Sequence, residues 1–590
     1  MSQKYYSAER TTQIVISLLK QHGIKKIVAS PGTTNVTLVG SLQQDPWFEM
    51  FSVVDERSAA YMACGLAAES GEPVVLSCTG ATASRNYLPG LTEAYYRKLP
   101  VLAITASQNL SRIGHLSPQQ LDRRSIQNDI AVCSEHLFPC RSKDDEWDCE
   151  IKVNRAILAL THRGGGPAHL NFTTTYSPDF TVQNLPPAKK ICRYNQGNNL
   201  PEIVSGKKVA IFVGAHTPMS NTLTDAIDRF CATYDSVVFC DHTSGYRGKY
   251  RASMALVGMQ TEYRSPIFDV DILIHIGEIS GDYPVMHKFK LKDEVWRVSE
   301  DGELRDYFKK LKYVFEMKEE HFFNYYAKDK QNKNDYLTLC LSEYEKVLHN
   351  IPELPYSNLW VAGKLSSLIP ANSVLHLGIL NSLRSWNVYS VDGSICSFCN
   401  TGGFGIDGIV STFLGGSLAE PDKLHFCVIG DLAFFYDLNA IGSRHVGNNL
   451  RILLVNNGKG TEFRNYTHPG AAFGEDADKF IAAGGHYGKK SPELIKHYAQ
   501  DLGFKYLAAS TKDELLKVAP EFVDTKNVDK PILLEVFTDS NEESEALRLV
   551  NTAVVEGVLQ MKHAIKDTAK SILGNTLVNK LKKIKKMKLT

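Results

Sequence analysis

Two polar side chains that follow apolar runs in the last third of the chain have the chemistry of metal ligands. Asp431 comes directly after "KLHFCVIG", and Asn457 follows the next such run, "LRILLVN". If these runs are neighbouring parallel strands, a carboxylate and an amide oxygen lie side by side at one edge of a sheet. Such oxygen ligands suit magnesium or calcium held against a phosphorylated cofactor. We predict a metal site formed by Asp431, Asn457 and the main-chain carbonyl of Lys459.

The surroundings of this acid favour a bound phosphate over a simple turn. Gly430 allows the backbone to turn sharply, and "FFYDLNAIG" predicts a helix whose first amides would face an anion. A Gly-Asp turn alone would be an ordinary structural feature, but a buried carboxylate is rarely left unpaired. The second ligand, Asn457, makes the metal site the stronger interpretation.

The elements that position these residues alternate between short apolar strands and helical patterns. This alternation predicts parallel sheets with helices on both faces, whose ligand crevice lies at the carboxyl ends of the strands. We predict an α/β domain at 1–185, a middle α/β domain at 186–355 and a third α/β domain at 356–540. Within the middle range, residues 310–355 are predicted to be solvated helix and connection.

Charge and composition limit the partners of the chain. The 66 Lys and Arg residues balance the 65 Asp and Glu residues, which argues against a nucleic-acid binder and favours a small-molecule substrate. The 12 cysteines are scattered without the pairing of a disulfide framework. No stretch approaches the roughly 20 apolar residues that span a bilayer. We expect a cytoplasmic protein with no transmembrane segment.

Residues 541–590 form a predicted basic amphipathic tail. From Met561 onward lysines dominate, and apolar residues recur at helical spacing. Two interpretations stay open: a helix on an anionic membrane surface, or a tail that docks on this protein or on a partner. The first would place the protein peripherally at the membrane.

Several segments together resemble one enzyme family. "GD" at Gly430-Asp431, followed one apolar run later by "NN", resembles the diphosphate motif of thiamine diphosphate enzymes, and "GDLAFFYDLNAI" resembles its form in MenD-type synthases of menaquinone biosynthesis. In the same order, "SPGT", "VVDERSAAYMACGLA", "SCTGATASRNYLPGLTEAYYRKLPVLAITA" and "GGFGIDGIVST" resemble other parts of that family. The resemblance implies a three-domain α/β architecture. Two doubly wound parallel-sheet cofactor domains, pyrimidine-binding at 1–185 and diphosphate-binding at 356–540, flank the middle domain.

The resemblance also implies thiamine diphosphate and Mg²⁺ as cofactors and gives roles to individual residues. Glu56 would hydrogen-bond to the aminopyrimidine ring and favour the tautomer that removes the thiazolium proton, although its position alone would indicate only a first-turn helix acid. Ile406 would support the bent cofactor, a position that also suits the core. Gln119, adjacent to Gln120, would point at the reacting centre. The other residues expected to bind the cofactor are Thr79, Gly80, Asn381, Ser382, Gly405, Gly430, Asp431, Leu432, Ala433 and Asn457.

A homo-oligomer, either a dimer or a tetramer, is a further implication. In this family the pyrimidine-binding domain of one subunit faces the diphosphate-binding domain of another. Glu56 and Asp431 are therefore expected to meet across a subunit interface.

The predicted substrate pocket departs from that of the synthases. Where they carry arginines for two acidic substrates, this chain has Thr34, Gln108, Trp386 and Thr401. A substrate carboxylate there would lack bidentate partners, and an unpaired buried charge is costly. We therefore predict a paralogue with another substrate. Other nearby cations are candidates for binding it, although each could also be a surface charge or a satisfied core histidine. They are Arg384, Arg464 and His468, and also Arg85 and His115.

The leading hypothesis is a thiamine diphosphate- and magnesium-dependent carboligase. It would decarboxylate a 2-oxo acid and pass the acyl carbanion to an acceptor aldehyde, ketone or enone, in a reaction other than the menaquinone one. The alternative within the same chemistry is a decarboxylase that releases an aldehyde. A third hypothesis is an inactive binding protein that kept the fold, which the intact set of Glu56, Asp431 and Asn457 disfavours.

Overall fold

The computed structural model describes residues 5–123, 126–328, 332–526 and 529–555. The chain divides into two compact units. The first comprises Met1–Leu200 and Asp301–Glu316, and the second comprises Pro201–Glu300 and Met317–Thr590. The basic run from Met561 onward lies outside the described residues, so its contact with a membrane or a partner stays a prediction.

A six-stranded sheet with only parallel strand pairs forms the centre of the first unit. Its strands are β1 (Lys26–Ala29), β2 (Glu49–Ser52), β3 (Val74–Cys78), β4 (Val101–Ser107), β5 (Cys133–Leu137) and β6 (Ala168–Thr173). Their order across the sheet is β2-β1-β3-β4-β6-β5. The helices of this part are α1 (Arg10–Gln21), α2 (Val36–Leu42), α3 (Glu56–Ser70), α4 (Thr82–Asn86), α5 (Leu88–Arg97) and α6 (Lys143–Ala159).

Two hydrophobic clusters lie on opposite faces of this sheet. Val75 belongs to a cluster with side chains of α1, α2 and α6, whereas Val74 and Leu76 belong to a cluster with α3 and α5. Because successive strand residues point to opposite faces, this division is that of a doubly wound sheet. Helix α3 begins at Glu56, so its packing on the sheet fixes the position of that acid.

The first unit also contains a parallel strand pair, β7 (Cys192–Asn195) with β13 (Leu311–Glu316). For β13 the prediction of solvated helix and connection was wrong. Lys312 and Tyr313 interrupt its apolar run, but Val314 and Phe315 are fully buried. Because successive strand residues point to opposite faces, these two neighbours show that both faces of the strand are covered at this end.

A second parallel sheet, from the predicted middle domain, lies in the second unit. Its strands are β8 (Val209–Val213), β9 (Val237–Phe239), β10 (Arg251–Ala252), β11 (Asp269–Ile276) and β12 (Lys290–Val298), in the order β10-β9-β8-β11-β12. The associated helices are α7 (Asn221–Tyr234), α8 (Ala255–Met259), α9 (Tyr283–Lys288), α10 (Glu319–Tyr326) and α11 (Asp335–Leu348).

The third sheet, also in the second unit, has six strands and is again parallel throughout. Its strands are β14 (Val374–Leu377), β15 (Cys396–Phe398), β16 (His425–Gly430), β17 (Leu450–Asn456), β18 (Lys505–Ala509) and β19 (Ile532–Phe537). The helices are α12 (Asn358–Leu365), α13 (Asn381–Trp386), α14 (Ile409–Ala419), α15 (Asp431–Tyr436), α16 (Ala477–Phe480), α17 (Leu494–Asp501), α18 (Lys512–Phe522) and α19 (Ser540–Asn551).

The first and third sheets share one topology. The third has the order β15-β14-β16-β17-β19-β18, which repeats the order of the first sheet strand for strand. In such doubly wound sheets, ligands bind outside the carboxyl ends of the strands where the winding reverses. In the third sheet this switch point lies between β14 and β16, which are followed by Asn381 and Asp431.

The predicted fold class, a three-domain α/β architecture with parallel sheets, is confirmed. Each strand falls inside one of the predicted domain ranges, while the domain boundaries themselves stay a prediction. Among the described helices, none combines the length and the apolar character needed to cross a bilayer.

We predict that Gly90→Ala destabilises the packing that positions α3. A Cβ at Gly90 would lie 2.4 Å from the Ala60 Cβ on α3, closer than two carbons can approach. Overpacking of this kind costs about 1–3 kcal/mol. A lower midpoint of thermal unfolding is therefore expected.

Gly65→Ala is the control. Gly65 lies on α3, the helix that Gly90 of α5 packs against. A Cβ at Gly65 meets no atom within 4 Å, and alanine is the better helix former. This variant should unfold at the wild-type temperature or above it. Equal melting temperatures for Gly90→Ala and the wild type would contradict the proposed contact.

Candidate functional site

The predicted metal-binding acid lies where β16 passes into α15. Asp431 is only 5% exposed, and its Oδ2 atom accepts a hydrogen bond of 2.8 Å from the amide of Gly458 in the loop after β17. Strands β16 and β17 are parallel neighbours, with Gly430 opposite Val455. The two strand ends thus lie at one edge of the sheet, as the sequence predicted.

Asn457, directly after β17, offers the second oxygen. Its Oδ1 atom is buried, and no described residue donates a hydrogen bond to it. The preceding Asn456 is fully used, because it donates to Glu535 Oε1 (2.6 Å) and accepts from the Gly458 amide (3.1 Å). A buried acceptor without a donor is uncommon in folded proteins. A cation beside Asp431 would satisfy it, so these residues fit a divalent metal.

The electrostatics of Asp431 agree with this fit. Burial raises the pKa of Asp431 to about 7, and the charge of Glu535 adds to the effect, while backbone amides of Leu432 and Gly458 oppose it. A bound cation would favour the ionised form. Lys459 contributes no charge to the pair, because its ammonium group donates to Asp478 Oδ2 at 2.5 Å. Only its main-chain carbonyl stays a candidate ligand.

The residues predicted to contact the diphosphate lie around the same edge. Asn381 and Ser382 open α13 after β14, and Ser382 is buried. Leu432 and Ala433 are in the first turn of α15. Ile406 is half-buried beside Gly405 and packs against the hydrophobic cluster of α14 and α15, so its position suits both the core and support of a cofactor.

In the first unit, Glu56 is the first residue of α3. It is half-buried, and its Oε2 atom accepts a hydrogen bond of 3.2 Å from Asn86 Nδ2. The preceding Asp55 caps the helix by accepting from the Ser58 amide at 2.8 Å. Because Asp55 caps the helix, the Glu56 carboxylate is not needed as a cap.

The Thr79-Gly80 turn follows β3 in the same unit. Thr34 joins this turn to the loop after β1, because its hydroxyl lies 2.6 Å from Thr79 Oγ1, accepts from the Gly80 amide (3.0 Å) and donates to the Ala106 carbonyl (3.1 Å). Thr34 is buried, so this bridge between the two loops is uncharged.

Gln119 lies in the loop after β4 with a left-handed backbone (φ +60°). Its side chain is exposed and makes no hydrogen bond to a described residue, while Gln120 is half-buried. The structure does not distinguish the two glutamines as the residue at the reacting centre, and the role of Gln119 stays a prediction.

Comparison with known proteins identifies the family. Residues 9–126 match the family described as "Thiamine pyrophosphate enzyme, N-terminal TPP binding domain". The chain is 30% identical over 577 residues to the 2-succinyl-5-enolpyruvyl-6-hydroxy-3-cyclohexene-1-carboxylate synthase of Bacteroides thetaiotaomicron, covering 92% of this chain and 98% of the relative. The synthase of Bacteroides fragilis is 31% identical with the same coverage, and that of Flavobacterium psychrophilum is 28% identical, covering 89% and 95%.

The chain belongs to this synthase family. The predicted resemblance to thiamine diphosphate enzymes is thereby confirmed, and so is the prediction of an enzyme. Thiamine diphosphate is the cofactor, and the fit of Asp431 and Asn457 to a divalent ion agrees with the predicted Mg²⁺.

Three of the side chains predicted to bind substrate lie in the second unit, and each of them has a partner there. Arg384 forms a bidentate pair with Glu462 at 2.8 and 2.9 Å, and Arg464 donates to Asp478 at 2.7 Å. His468 accepts through Nδ1 from the Gly470 amide at 2.9 Å. In this arrangement the two arginines carry no spare charge for a substrate acid.

The other two cations lie in the first unit. Arg85 donates to the main-chain carbonyl of Asp122 at 3.4 Å, and His115 is exposed. The sequence analysis missed the acids Glu462 and Asp478, which determine what the arginines do. Asp478 lies at the start of α16, 14 positions after Arg464, and this short separation was the available signal for that pair. No local signal linked Glu462 to Arg384, which lies 78 positions away.

We predict that Asp431→Asn weakens Mg²⁺-dependent binding of thiamine diphosphate at least about tenfold, equivalent to about 1.4 kcal/mol. The asparagine keeps the shape of the side chain but removes the charge that balances the cation. Titration calorimetry with the cofactor at saturating Mg²⁺ measures the change.

Asp437→Asn provides the control, because Asp437 is buried to the same degree (6% exposed) but accepts from Ser411, through its amide (2.5 Å) and its hydroxyl (2.7 Å). This variant should lose thermal stability and keep the cofactor affinity. Wild-type affinity in Asp431→Asn would rule out the predicted metal site.

Proposed function

We propose that this protein is a thiamine diphosphate- and Mg²⁺-dependent carboligase. It decarboxylates a 2-oxo acid and transfers the remaining acyl unit to an acceptor, in a reaction other than the menaquinone one. The observation that carries the proposal is the pair of oxygen ligands, Asp431 and the unpaired Asn457 Oδ1, at two adjacent strand ends.

When bound, thiamine diphosphate supplies a carbon nucleophile and an electron sink, and the protein has to hold and orient it. We assign Asp431, Asn457 and the Lys459 carbonyl to the metal, and Asn381, Ser382 and the first amides of α15 to the diphosphate. Glu56 would hydrogen-bond to the aminopyrimidine ring and favour the tautomer whose nitrogen removes the thiazolium proton. Its half-buried carboxylate, with one hydrogen bond from Asn86, suits this exchange.

A substrate other than that of the relatives is supported by the electrostatics of the pocket residues. Thr34 is a buried bridge, Trp386 is fully buried, and Thr401 is 5% exposed, so none presents a cation. Gln108 accepts a hydrogen bond from Arg112 at 2.5 Å. Since Arg384 and Arg464 are neutralised by acids, we propose an acceptor with fewer carboxylates than the menaquinone intermediates.

Product analysis tests the proposal. The enzyme is incubated with pyruvate or 2-oxoglutarate, cofactor and Mg²⁺, with and without a panel of aldehyde, ketone and enone acceptors. We expect a product that joins the acyl unit to one acceptor. Free aldehyde as the sole product in every mixture would establish the alternative, a non-ligating decarboxylase, and no CO₂ release would favour the inactive binding protein.

We also predict that Glu56→Gln keeps cofactor binding and loses most turnover, about 10²-fold or more, because a glutamine cannot exchange a proton with the aminopyrimidine ring. Calorimetry and a CO₂-release assay separate the two effects. Full activity in this variant would overturn the role of Glu56.

Mixing Glu56→Gln with Asp431→Asn tests the proposed homo-oligomer, at a cofactor concentration that saturates the wild-type site but not Asp431→Asn. If Glu56 and Asp431 of different subunits form one site, a dimer of Glu56→Gln with Asp431→Asn contains one wild-type site. Co-expression should then restore about a quarter of the wild-type activity in a statistical mixture. No restoration in a verified heterodimer would place both residues of a site on one chain. The cytoplasmic location and the contact of the basic tail stay predictions.

A further inference from the structure

Four side chains form a closed hydrogen-bonded group beside the switch point of the third sheet. Arg384 Nη1 donates to Glu462 Oε2 (2.9 Å) and to Asn381 Oδ1 (3.0 Å). Asn465 Nδ2 donates to the same two oxygen atoms, at 3.0 and 3.2 Å. The group joins the residue predicted to bind diphosphate, Asn381, to the loop that follows the metal ligands.

The two donors determine the orientation of the Asn381 amide. An arginine nitrogen can only donate, so the Asn381 atom that it contacts must be the oxygen. The opposite side of the amide, Nδ2, then carries two N–H groups, and it makes no hydrogen bond to a described residue. Because the two donors occupy Oδ1, Nδ2 is the polar atom of this amide that has no partner among the described residues.

The pair of Arg384 and Glu462 makes the arrangement rigid. Their side chains are 12% and 22% exposed, and the two parallel N–H···O bonds fix the guanidinium plane as well as its position. The Tyr283 hydroxyl, at the start of α9, accepts from Arg384 Nε at 3.2 Å. Asn465 is buried, with 3% of its surface exposed. Each member of the group is thus held by at least two others or by a neighbouring helix.

This geometry explains why an arginine lies close to the site without acting on a substrate. A substrate carboxylate would have to displace Glu462 from the guanidinium and leave that acid unpaired in a largely buried position, which is unfavourable. The function of Arg384 is therefore better sought in what else it touches, and among the residues predicted to contact the cofactor that is Asn381.

We propose that Arg384, Glu462 and Asn465 are positioning residues that hold the Asn381 carboxamide with its Nδ2 donor toward the cofactor diphosphate. The inference rests on the proposed function, since it takes Asn381 to be a diphosphate ligand. It adds a physical role for three residues that do not themselves touch the cofactor.

A double-mutant cycle on cofactor affinity tests the proposal. Glu462→Gln and Asn381→Ala should each weaken binding of thiamine diphosphate about tenfold at saturating Mg²⁺, the scale of a hydrogen bond to a charged group. If Glu462 acts through Asn381, then Glu462→Gln should cause no further loss in the Asn381→Ala background. Asn381→Asp should bind more weakly than Asn381→Ala, because it places an acid against the phosphates.

The controls separate positioning from general stability. Glu135→Gln removes one acid of a comparable part-buried pair, with Arg155 at 2.6 Å, in the first unit, and should keep the cofactor affinity. If Glu462→Gln does not fold, Asn465→Ala removes one donor to Asn381 without unpairing a charge and should give the same non-additivity.

Additive losses for Glu462→Gln and Asn381→Ala, or wild-type affinity in Glu462→Gln, would overturn the positioning role. Failure of the wild-type protein to bind thiamine diphosphate at all would instead overturn the proposed function.

Discussion

A buried carboxylate at the end of a parallel strand is the constraint on which the site depends. Removing the charge of Asp431 from water is unfavourable unless a cation or a set of donors compensates. The backbone supplies part of this compensation through the Gly458 amide, and the neighbouring Glu535 works against it. Asn457 Oδ1 is a second buried acceptor beside Asp431, and no described residue donates a hydrogen bond to it. The divalent cation that we propose at this position would compensate both groups, and it would account for two polar groups that do not suit the interior of a stable sheet.

The first and third sheets have the same strand order, but the residues that follow their corresponding strands differ in charge. In the third sheet, the strand beside the switch point ends in Asp431, whereas its counterpart in the first sheet, β3, ends at Thr79 and Gly80. The hydroxyl groups of Thr34 and Thr79 close the second of these loops without any charge. The same strand order therefore gives the third sheet a charged edge, where we propose a metal, and the first sheet an uncharged edge. The acid of the first unit, Glu56, lies instead at the start of α3.

The sequence predicted most of the strands, and it predicted that Asp431 and Asn457 follow neighbouring strands at one edge of the third sheet, because both features have local signatures. Binding of a metal by these two residues stays a prediction. Continuous apolar runs such as those of β4 and β16 are buried on both faces, and polar residues directly after them mark the ligand edge. Strand β13 was missed because the exposed Lys312 and the half-buried Tyr313 interrupt the apolar pattern of a strand of only six residues. The pairing of Arg384 with Glu462 was beyond sequence reasoning, because 78 positions separate the two residues and no periodicity relates them.

The internal pairing of the arginines changes what can be concluded from their positions. Taken singly, Arg384 and Arg464 could each bind an acidic substrate. Arg384, however, pairs with Glu462 in the loop after β17, and Arg464 pairs with Asp478 of α16. The loop after the metal ligands therefore adds order to the site without adding much net charge. A substrate whose only carboxylate leaves as CO₂ needs no permanent cationic partner in the product state. The pairing of both arginines with acids agrees with the proposed substrate, whereas a substrate with a further carboxylate would have to displace one of those acids.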